Sequence, residues 1–160
     1  MLNVAVIGMG VGEKHALAYD NHKETELKKI CDFNKEKLKE VKSKFPDVLF
    51  FENDQSVLSD HNTDIVSIAT YDNYHHKQIL KAFENSKHVM VEKPLCLHKC
   101  EMLEIHAAQK RNKDVKLSAN HVLRTNSRFT TFKKDIKSGK YGEIFYMEGD
   151  YYWGRKKKLF

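Results

Sequence analysis

The sequence contains little proline, glycine and cysteine, and each shortage excludes a class of protein. Among its 160 residues there are 2 prolines and 7 glycines, which excludes a collagen-like chain and a proline- and glycine-rich linker. The 3 cysteines are Cys31, Cys96 and Cys100, an odd number in which no pair has a strong metal-binding spacing. The sequence therefore predicts no disulfide framework, and we expect a reducing, cytoplasmic compartment.

Long apolar runs are also missing. No segment approaches the about 20 apolar residues that span a bilayer, and no basic stretch precedes the first apolar run, which argues against a signal peptide. We therefore expect no membrane partner. The composition is nonetheless that of a folded protein, because 41% of the residues are hydrophobic and 31% are charged. A chain of this length suits one main core.

Acidic residues are fewer than basic ones, and this excess of positive charge favours an anionic partner. The chain has 28 Lys and Arg residues against 22 Asp and Glu residues, a net charge of +6. Most of the lysines are scattered along predicted helices, apart from a basic cluster at 155–158. Because no aromatic residues are interleaved with lysines in a nucleic-acid-binding pattern, we expect a small anion such as a dinucleotide and no nucleic acid.

Short apolar runs alternate with helical stretches along most of the chain. The runs predicted to be strands are 4–7, 26–31, 48–51, 64–69, 88–91 and 115–119. Asn34 is placed to cap the second helix, in which Leu38, Val41 and Phe45 fall on one face. Further helices are predicted to start at Asp72 or Asn73 and to cover 98–112. Six alternations predict an α/β fold with a doubly wound parallel sheet covered on both faces.

The end of the chain departs from this pattern. A predicted helix at 127–138 is followed by a predicted strand at 143–153, whose alternate residues Phe145, Met147, Tyr151 and Trp153 share one apolar face. Such a face needs a sheet and a cover. We therefore expect a dinucleotide-binding domain at 1–122, and at 123–160 the first helix and strand of an incomplete α+β domain. We also expect a homo-oligomer that forms through this strand or through the rest of that domain.

A glycine-rich turn, Gly8-Met9-Gly10-Val11-Gly12, follows the first strand and opens a helix. Gly8 permits a tight turn, and Gly10 allows the backbone to approach a pyrophosphate at the helix N-terminus. The third glycine of a G-x-G-x-x-G pattern falls one position early, at Gly12, so the fingerprint is not complete. The alternative is a strand–helix turn that merely needs glycine.

Asp32 lies 20 residues beyond Gly12, at the end of the second predicted strand. A carboxylate in this place accepts hydrogen bonds from the adenosine ribose and repels a 2′-phosphate, which favours NAD over NADP. The alternative is that Asp32 caps a helix, because Asn34 opens the next one.

Three further residues lie at the carboxyl ends of predicted strands, where open α/β sheets bind ligands. Lys93, in Glu92-Lys93-Pro94, suits proton exchange with a substrate hydroxyl, although a solvated turn is the alternative. His75 and His76 are adjacent and therefore point about 100° apart on a helix. Because no cysteine or carboxylate lies at a ligand spacing, we predict no metal site.

These residues resemble the Gfo/Idh/MocA family, named after glucose–fructose oxidoreductase and inositol dehydrogenase. The resemblance covers nearly all of the chain and rests on 8–15, Asp32, 68–70, His75, 87–95, Asn120, Arg124 and 137–144. It implies a Rossmann domain for NAD(P) and hydride transfer between nicotinamide and a carbinol carbon of a sugar, cyclitol or nucleotide sugar. The small-molecule substrate is thus expected to be sugar-like.

The resemblance also implies roles for single residues. Lys93 is the catalytic or substrate-binding lysine, Asn120 approaches the nicotinamide and substrate, and the peptide bond before Pro94 is cis. The expected cofactor-binding residues are Gly8, Met9, Gly10, Val11, Gly12, Asp32, Thr70, Tyr71, His75, Glu92 and Pro94.

Two departures from the family pattern limit what the resemblance implies. Tyr71 replaces the usual proline, and its ring either stacks on the cofactor or fills the space. The family's aspartate and histidine, four residues apart on a helix of the second domain, have no match. We therefore expect a parent oxidoreductase of which this truncated chain is the cofactor-binding half, inactive alone. The alternative is a non-catalytic module that binds NAD as a sensor or a structural ligand.

Overall fold

The alternation of apolar runs and helical stretches produces the predicted strands and helices. The computed structural model describes residues 1–152. Its strands are β1 (Leu2–Ile7), β2 (Thr25–Cys31), β3 (Leu49–Phe51), β4 (Ile65–Ile68), β5 (His88–Val91) and β6 (Leu117–Ala119). Its helices are α1 (Gly12–Asp20), α2 (Lys35–Lys42), α3 (Gln55–Leu58), α4 (Asp72–Glu84), α5 (Lys99–Arg111), a 3₁₀-helix (Val122–Arg124) and α6 (Ser127–Lys137).

The six strands form one parallel sheet in the order β3-β2-β1-β4-β5-β6. This is the predicted doubly wound arrangement of the Rossmann type, which is confirmed. The chain moves outward from β1 through β2 to β3, and then crosses over to β4 and moves outward in the opposite direction. The direction reverses between β1 and β4, and ligands of open α/β sheets bind at such a switch point, outside the carboxyl ends of the strands.

Alternate side chains of β1 supply two separate cores, one on each face of the sheet. Ala5 and Ile7 belong to a cluster that contains Ile79 of α4 and Ile105 of α5. Val6 belongs to the other cluster, which residues of α1 and α2 complete. Because both faces are covered, β1 reads as a continuous apolar run rather than an alternating one. Burying a valine or isoleucine side chain such as Val6 or Ile7 contributes about 1.5–3 kcal/mol.

The second helix shows how a local sequence signal fixes an element. The Asn34 side chain accepts hydrogen bonds from the backbone N–H groups of Glu36 and Lys37, at 3.0 and 3.2 Å. It therefore caps α2 as predicted. Leu38 and Val41 are buried on the inner face of α2, and they hold this helix against the sheet.

Two lysines hold the loop that precedes β4, at the amino-terminal edge of the sheet. Lys87, only 1% exposed, donates to the backbone carbonyls of Thr63, at 3.0 Å, and Asp60. Burial lowers the pKa of the Lys87 ammonium. Lys29 pairs with the Asp60 carboxylate, and this contact lowers the pKa of Asp60. The Lys87 bonds satisfy two backbone carbonyls of this loop.

The described part of the chain divides into two units, with the boundary between His121 and Val122. In the second unit the Asn126 side chain caps α6 by accepting from the Arg128 N–H at 3.0 Å. The predicted strand at 143–153 was wrong over 143–152, which form neither helix nor strand, and Trp153 lies outside the described residues. Phe145 is 98% exposed. A strand needs a neighbour for its backbone hydrogen bonds, and the described part of this unit contains none.

Candidate functional site

Gly8 makes the turn out of β1 and meets the end of β4. Its φ is +93°, and a Cβ at this position would lie 2.5 Å from the Ala69 carbonyl oxygen. Its N–H donates to the Cys31 carbonyl at 2.7 Å. The loop that starts here is therefore held between β2 and β4, and only glycine fits both its backbone conformation and its packing.

The other two glycines of the loop have different surroundings. A Cβ at Gly12 would lie 3.1 Å from both Ala69 Cβ and Val6 Cγ1, so Gly12 allows α1 to pack closely on the sheet. At Gly10, a Cβ would have a single neighbour within 4 Å among the described residues, the Lys37 Nζ at 3.7 Å. No described side chain caps the start of α1, which leaves its first N–H groups available to an anion beside Gly10.

Asp32 ties this loop to the end of β2. One carboxylate oxygen accepts from the Met9 N–H at 2.6 Å, and the other accepts from the Asn34 N–H at 2.8 Å. Asp32 therefore supports the turn before α2, whereas Asn34 caps the helix itself. Each carboxylate oxygen accepts two hydrogen bonds, so both oxygens retain capacity for a ligand hydroxyl.

A cavity of about 310 Å³ opens at the carboxyl ends of the strands, between the ends of β2 and β3 and the first half of α4. It is lined by Ile7, Gly8, Cys31, Asp32, Phe33, Glu52, Asn53, Asp54, Thr70, Tyr74 and Gln78. Three of the lining residues are carboxylates, and one of them, Glu52, is paired with Lys35 at 2.9 Å. Burial, assisted by Asp54 and Asp32, raises the pKa of the Cys31 thiol to about 12. The cavity thus repels anionic groups, and its thiol is not a nucleophile at neutral pH.

A chain of hydrogen bonds fixes the floor of this cavity. The Thr70 hydroxyl donates to the Gln78 side-chain oxygen at 2.7 Å, and the Gln78 amide donates to the Asp54 carboxylate at 2.7 Å. Gln78 is 5% exposed. Sequence reasoning missed Gln78 and Asp54, since neither belongs to a recognisable motif.

His75 lies beneath the predicted site rather than on its surface. Its ring is fully buried, with Nδ1 2.7 Å from the Pro94 carbonyl oxygen and Nε2 3.2 Å from the Thr70 carbonyl oxygen. The Lys93–Pro94 peptide bond is cis, as the resemblance implies. His75 therefore joins the end of β4 to the loop after β5, and a buried ring has no surface to offer a ligand.

Met9 is 3% exposed and packs in the core beside α1, whereas several other predicted residues are more open to solvent. Tyr71 is 69% exposed, and its ring centroid lies 6.4 Å from that of Phe33 at the cavity rim. Val11 and Lys93 are exposed, and Asn120 is half-buried. Within residues 1–152, no three histidine, cysteine or acidic side chains are placed to hold a metal ion, and no helix is long and apolar enough to cross a membrane.

A second polar cluster lies on the other side of the switch point. His15 of α1 contacts the Ser67 hydroxyl with Nδ1 at 2.8 Å and the Glu92 carboxylate with Nε2 at 3.1 Å. The Asn120 amide donates to the same Glu92 oxygen at 2.6 Å. The prediction included Glu92 and Asn120 but gave His15 no role, because its partners lie 52 and 77 positions away in the sequence.

The structure thus brings the predicted residues together in two groups around the glycine loop. A family model described as an oxidoreductase family with an NAD-binding Rossmann fold, GFO_IDH_MocA, matches residues 2–121. The chain belongs to this family. The resemblance drawn from the sequence is confirmed.

Individual members of the Gfo/Idh/MocA family are similar at modest identity. D-glucoside 3-dehydrogenase of Escherichia coli is 27% identical over 147 residues, which are 90% of this chain and 41% of that protein. Myo-inositol 2-dehydrogenase of Thermotoga maritima is 26% identical over 143 residues, 89% of this chain and 42% of that protein. The chain thus spans about two fifths of the length of these relatives.

The fold is shared with part of several longer solved structures. A crystal structure of scyllo-inositol dehydrogenase from Lactobacillus casei, with bound NAD(H) and scyllo-inositol, matches with a TM-score of 0.84 at 21% identity. The match covers 90% of this chain and 43% of that one.

Proposed function

We propose that this chain is the NAD-binding part of an oxidoreductase that transfers a hydride between nicotinamide and a carbinol carbon of a sugar, cyclitol or nucleotide sugar. The observation that carries the proposal is the joint placement of Gly8, Asp32 and Thr70 around one cavity at the switch point. Relatives whose names describe glucoside and inositol dehydrogenases support the substrate class.

The residues of this chain fit a dinucleotide. The open position at Gly10 and the uncapped start of α1 suit a pyrophosphate. The cavity beside Asp32 suits an adenosine, with the exposed rings of Phe33 and Tyr71 available to contact the adenine. When bound, NAD supplies the hydride acceptor or donor, and residues 1–122 act as the dinucleotide-binding domain. Residues 123–160 then belong to a separate part, for substrate binding or subunit contact.

We expect NAD to be preferred to NADP, and Asp32→Asn to reduce this preference. The substitution removes the charge that accepts from a ribose hydroxyl and repels a 2′-phosphate. A hydrogen bond to a charged group is worth about 1.5–3 kcal/mol, so NADH affinity should fall roughly 10- to 100-fold while NADPH affinity falls less or rises. Fluorescence titration with both cofactors measures the ratio.

Glu52→Gln is the matched control for Asp32→Asn. It also removes a carboxylate from the cavity lining, but one that Lys35 already neutralises at 2.9 Å, and we expect the affinity for each cofactor to change by less than about threefold. An unchanged NADH-to-NADPH ratio in Asp32→Asn would remove Asp32 from the ribose site.

Lys93→Met is expected to separate catalysis from binding. The lysine is exposed after β5 and is not one of the residues that line the cavity, so NADH affinity should stay within about twofold. Loss of the proton-exchanging group should reduce NAD-linked oxidation of cyclitols by about 100-fold or more, followed at 340 nm in a protein that contains this domain. A sensor module has no use for Lys93, and retained turnover would show that the lysine is not catalytic.

A further inference from the structure

We propose that His15 is a positioning residue that couples the pyrophosphate-binding helix to the nicotinamide side of the site, through Glu92 and Asn120. The proposal rests on the proposed dinucleotide function. It adds a residue to which neither the family match nor the sequence analysis gives a role.

The position of His15 links two halves of the sheet. It lies in the first turn of α1, whose start faces the open position at Gly10. Its ring reaches Ser67 in β4 and Glu92 immediately after β5. His15 therefore joins the helix that begins at the glycine loop to two strands of the opposite half of the sheet. The two linked residues, His15 and Glu92, are 77 positions apart in the sequence.

The hydrogen-bond partners fix the orientation of the ring. The Glu92 carboxylate can only accept hydrogen bonds, so Nε2 of His15 donates to it. Ser67 is fully buried, and its hydroxyl then donates to Nδ1 of the same ring. The ring proton in this arrangement lies on Nε2. Every group in this chain is satisfied by one tautomer of His15.

Glu92 extends this hydrogen-bond network to the Asn120 side chain and the Lys93 backbone. One of its carboxylate oxygens accepts from both His15 and the Asn120 amide, while the other accepts from the Lys93 N–H at 3.3 Å. The side chains of His15 and Glu92 are 10% and 14% exposed, so water competes little for these bonds. Without His15, Glu92 loses the contact that ties it to α1, and Asn120 and the Lys93 backbone lose a fixed acceptor.

The strand order indicates which half of the dinucleotide His15 affects. Most residues that line the adenosine cavity lie at the ends of β1, β2 and β3. A dinucleotide whose pyrophosphate lies at the glycine loop extends its other half toward β5 and β6, where Glu92 and Asn120 are. His15 should therefore affect the binding of the nicotinamide half and not that of the adenosine half.

The test compares NADH with ADP-ribose, which lacks the nicotinamide. In the 160-residue chain, His15→Leu should weaken NADH binding about tenfold, while the affinity for ADP-ribose stays within about twofold. The nicotinamide emission of NADH bound to this variant should also show a smaller blue shift or less quenching than in the wild-type complex. His15→Gln retains a donor and an acceptor, and it should restore both NADH affinity and the emission spectrum of the wild-type complex. A purely structural role would weaken both ligands together.

A second variant tests the same hydrogen-bond network if His15→Leu fails to fold. Glu92→Met removes the shared acceptor from a partly exposed side chain, and it should give the same selective loss of NADH. In the double variant the two losses should not add, because His15 acts through Glu92.

Equal loss of both ligands, additive losses in the double variant, or unchanged NADH affinity in either single variant would overturn the proposal. If the wild-type chain binds neither NADH nor ADP-ribose, the proposed function itself fails. Binding of both ligands with no selective effect of His15 removes only the positioning role.

Discussion

Gly10→Glu is expected to abolish NADH binding without unfolding the protein. The new carboxylate would occupy the place where the uncapped start of α1 is proposed to receive the pyrophosphate. Juxtaposed like charges cost several kcal/mol, so the affinity should fall by more than about 100-fold. Fluorescence titration with NADH measures this loss.

The same variant should be stable because Gly10 is open. A Cβ there has one described neighbour within 4 Å, the Lys37 ammonium at 3.7 Å, and this cation attracts a glutamate. We expect the free energy of unfolding to change by less than about 0.5 kcal/mol. Gly149→Glu makes the same charge change at another open position, and it should leave NADH affinity unaltered. Wild-type affinity in Gly10→Glu would place the pyrophosphate elsewhere.

Gly8→Ala should have the opposite consequence, a loss of stability. The new methyl carbon would lie 2.5, 2.6 and 2.8 Å from backbone atoms of Ala69 and Thr70, none of which belongs to a side chain that is free to move. The positive φ of +93° adds about 1–2 kcal/mol for a non-glycine residue, and overpacking adds about 1–3 kcal/mol. At about 4 °C per kcal/mol, the midpoint of thermal unfolding should fall by roughly 8–20 °C.

Two alanine substitutions in the same loop calibrate the Gly8 result. In Gly10→Ala the new methyl group enters open space, so the unfolding midpoint should stay within about 2 °C of the wild-type value. In Gly12→Ala the new methyl carbon lies 3.1 Å from side-chain atoms of Ala69 and Val6. Because side chains move more easily than backbone, its unfolding midpoint should lie between those of Gly8→Ala and Gly10→Ala. A Gly8→Ala protein as stable as the Gly10→Ala control would contradict the described packing of the loop on β4.

Local signals explain why much of the fold was predictable. The apolar run of β1 and the cap at Asn34 depend on neighbouring residues in the sequence, so their positions follow from period and residue type. The glycine loop was predictable for the same reason, and so was the location of Asp32 at the end of β2.

Features that depend on distant residues were not predictable. His75 begins a helix and looks solvent-accessible in the sequence, yet its ring is fully buried and contacts the distant Pro94 carbonyl. The link between His15 and Glu92 exists only once α1 packs on the sheet. The segment 143–152 has the alternation of a strand, but a strand also requires a partner, which alternation alone does not supply.

The central claim is that this chain binds NAD at the glycine loop. Its most direct test is a titration of the 160-residue chain with NADH and NADPH, following nicotinamide fluorescence and thermal unfolding together, with ADP-ribose as competitor. We predict saturable NADH binding, weaker NADPH binding, displacement by ADP-ribose, and stabilisation of about 2.7 kcal/mol at a ligand concentration 100 times the dissociation constant. Binding of neither dinucleotide, with no stabilisation by ADP-ribose, would contradict it.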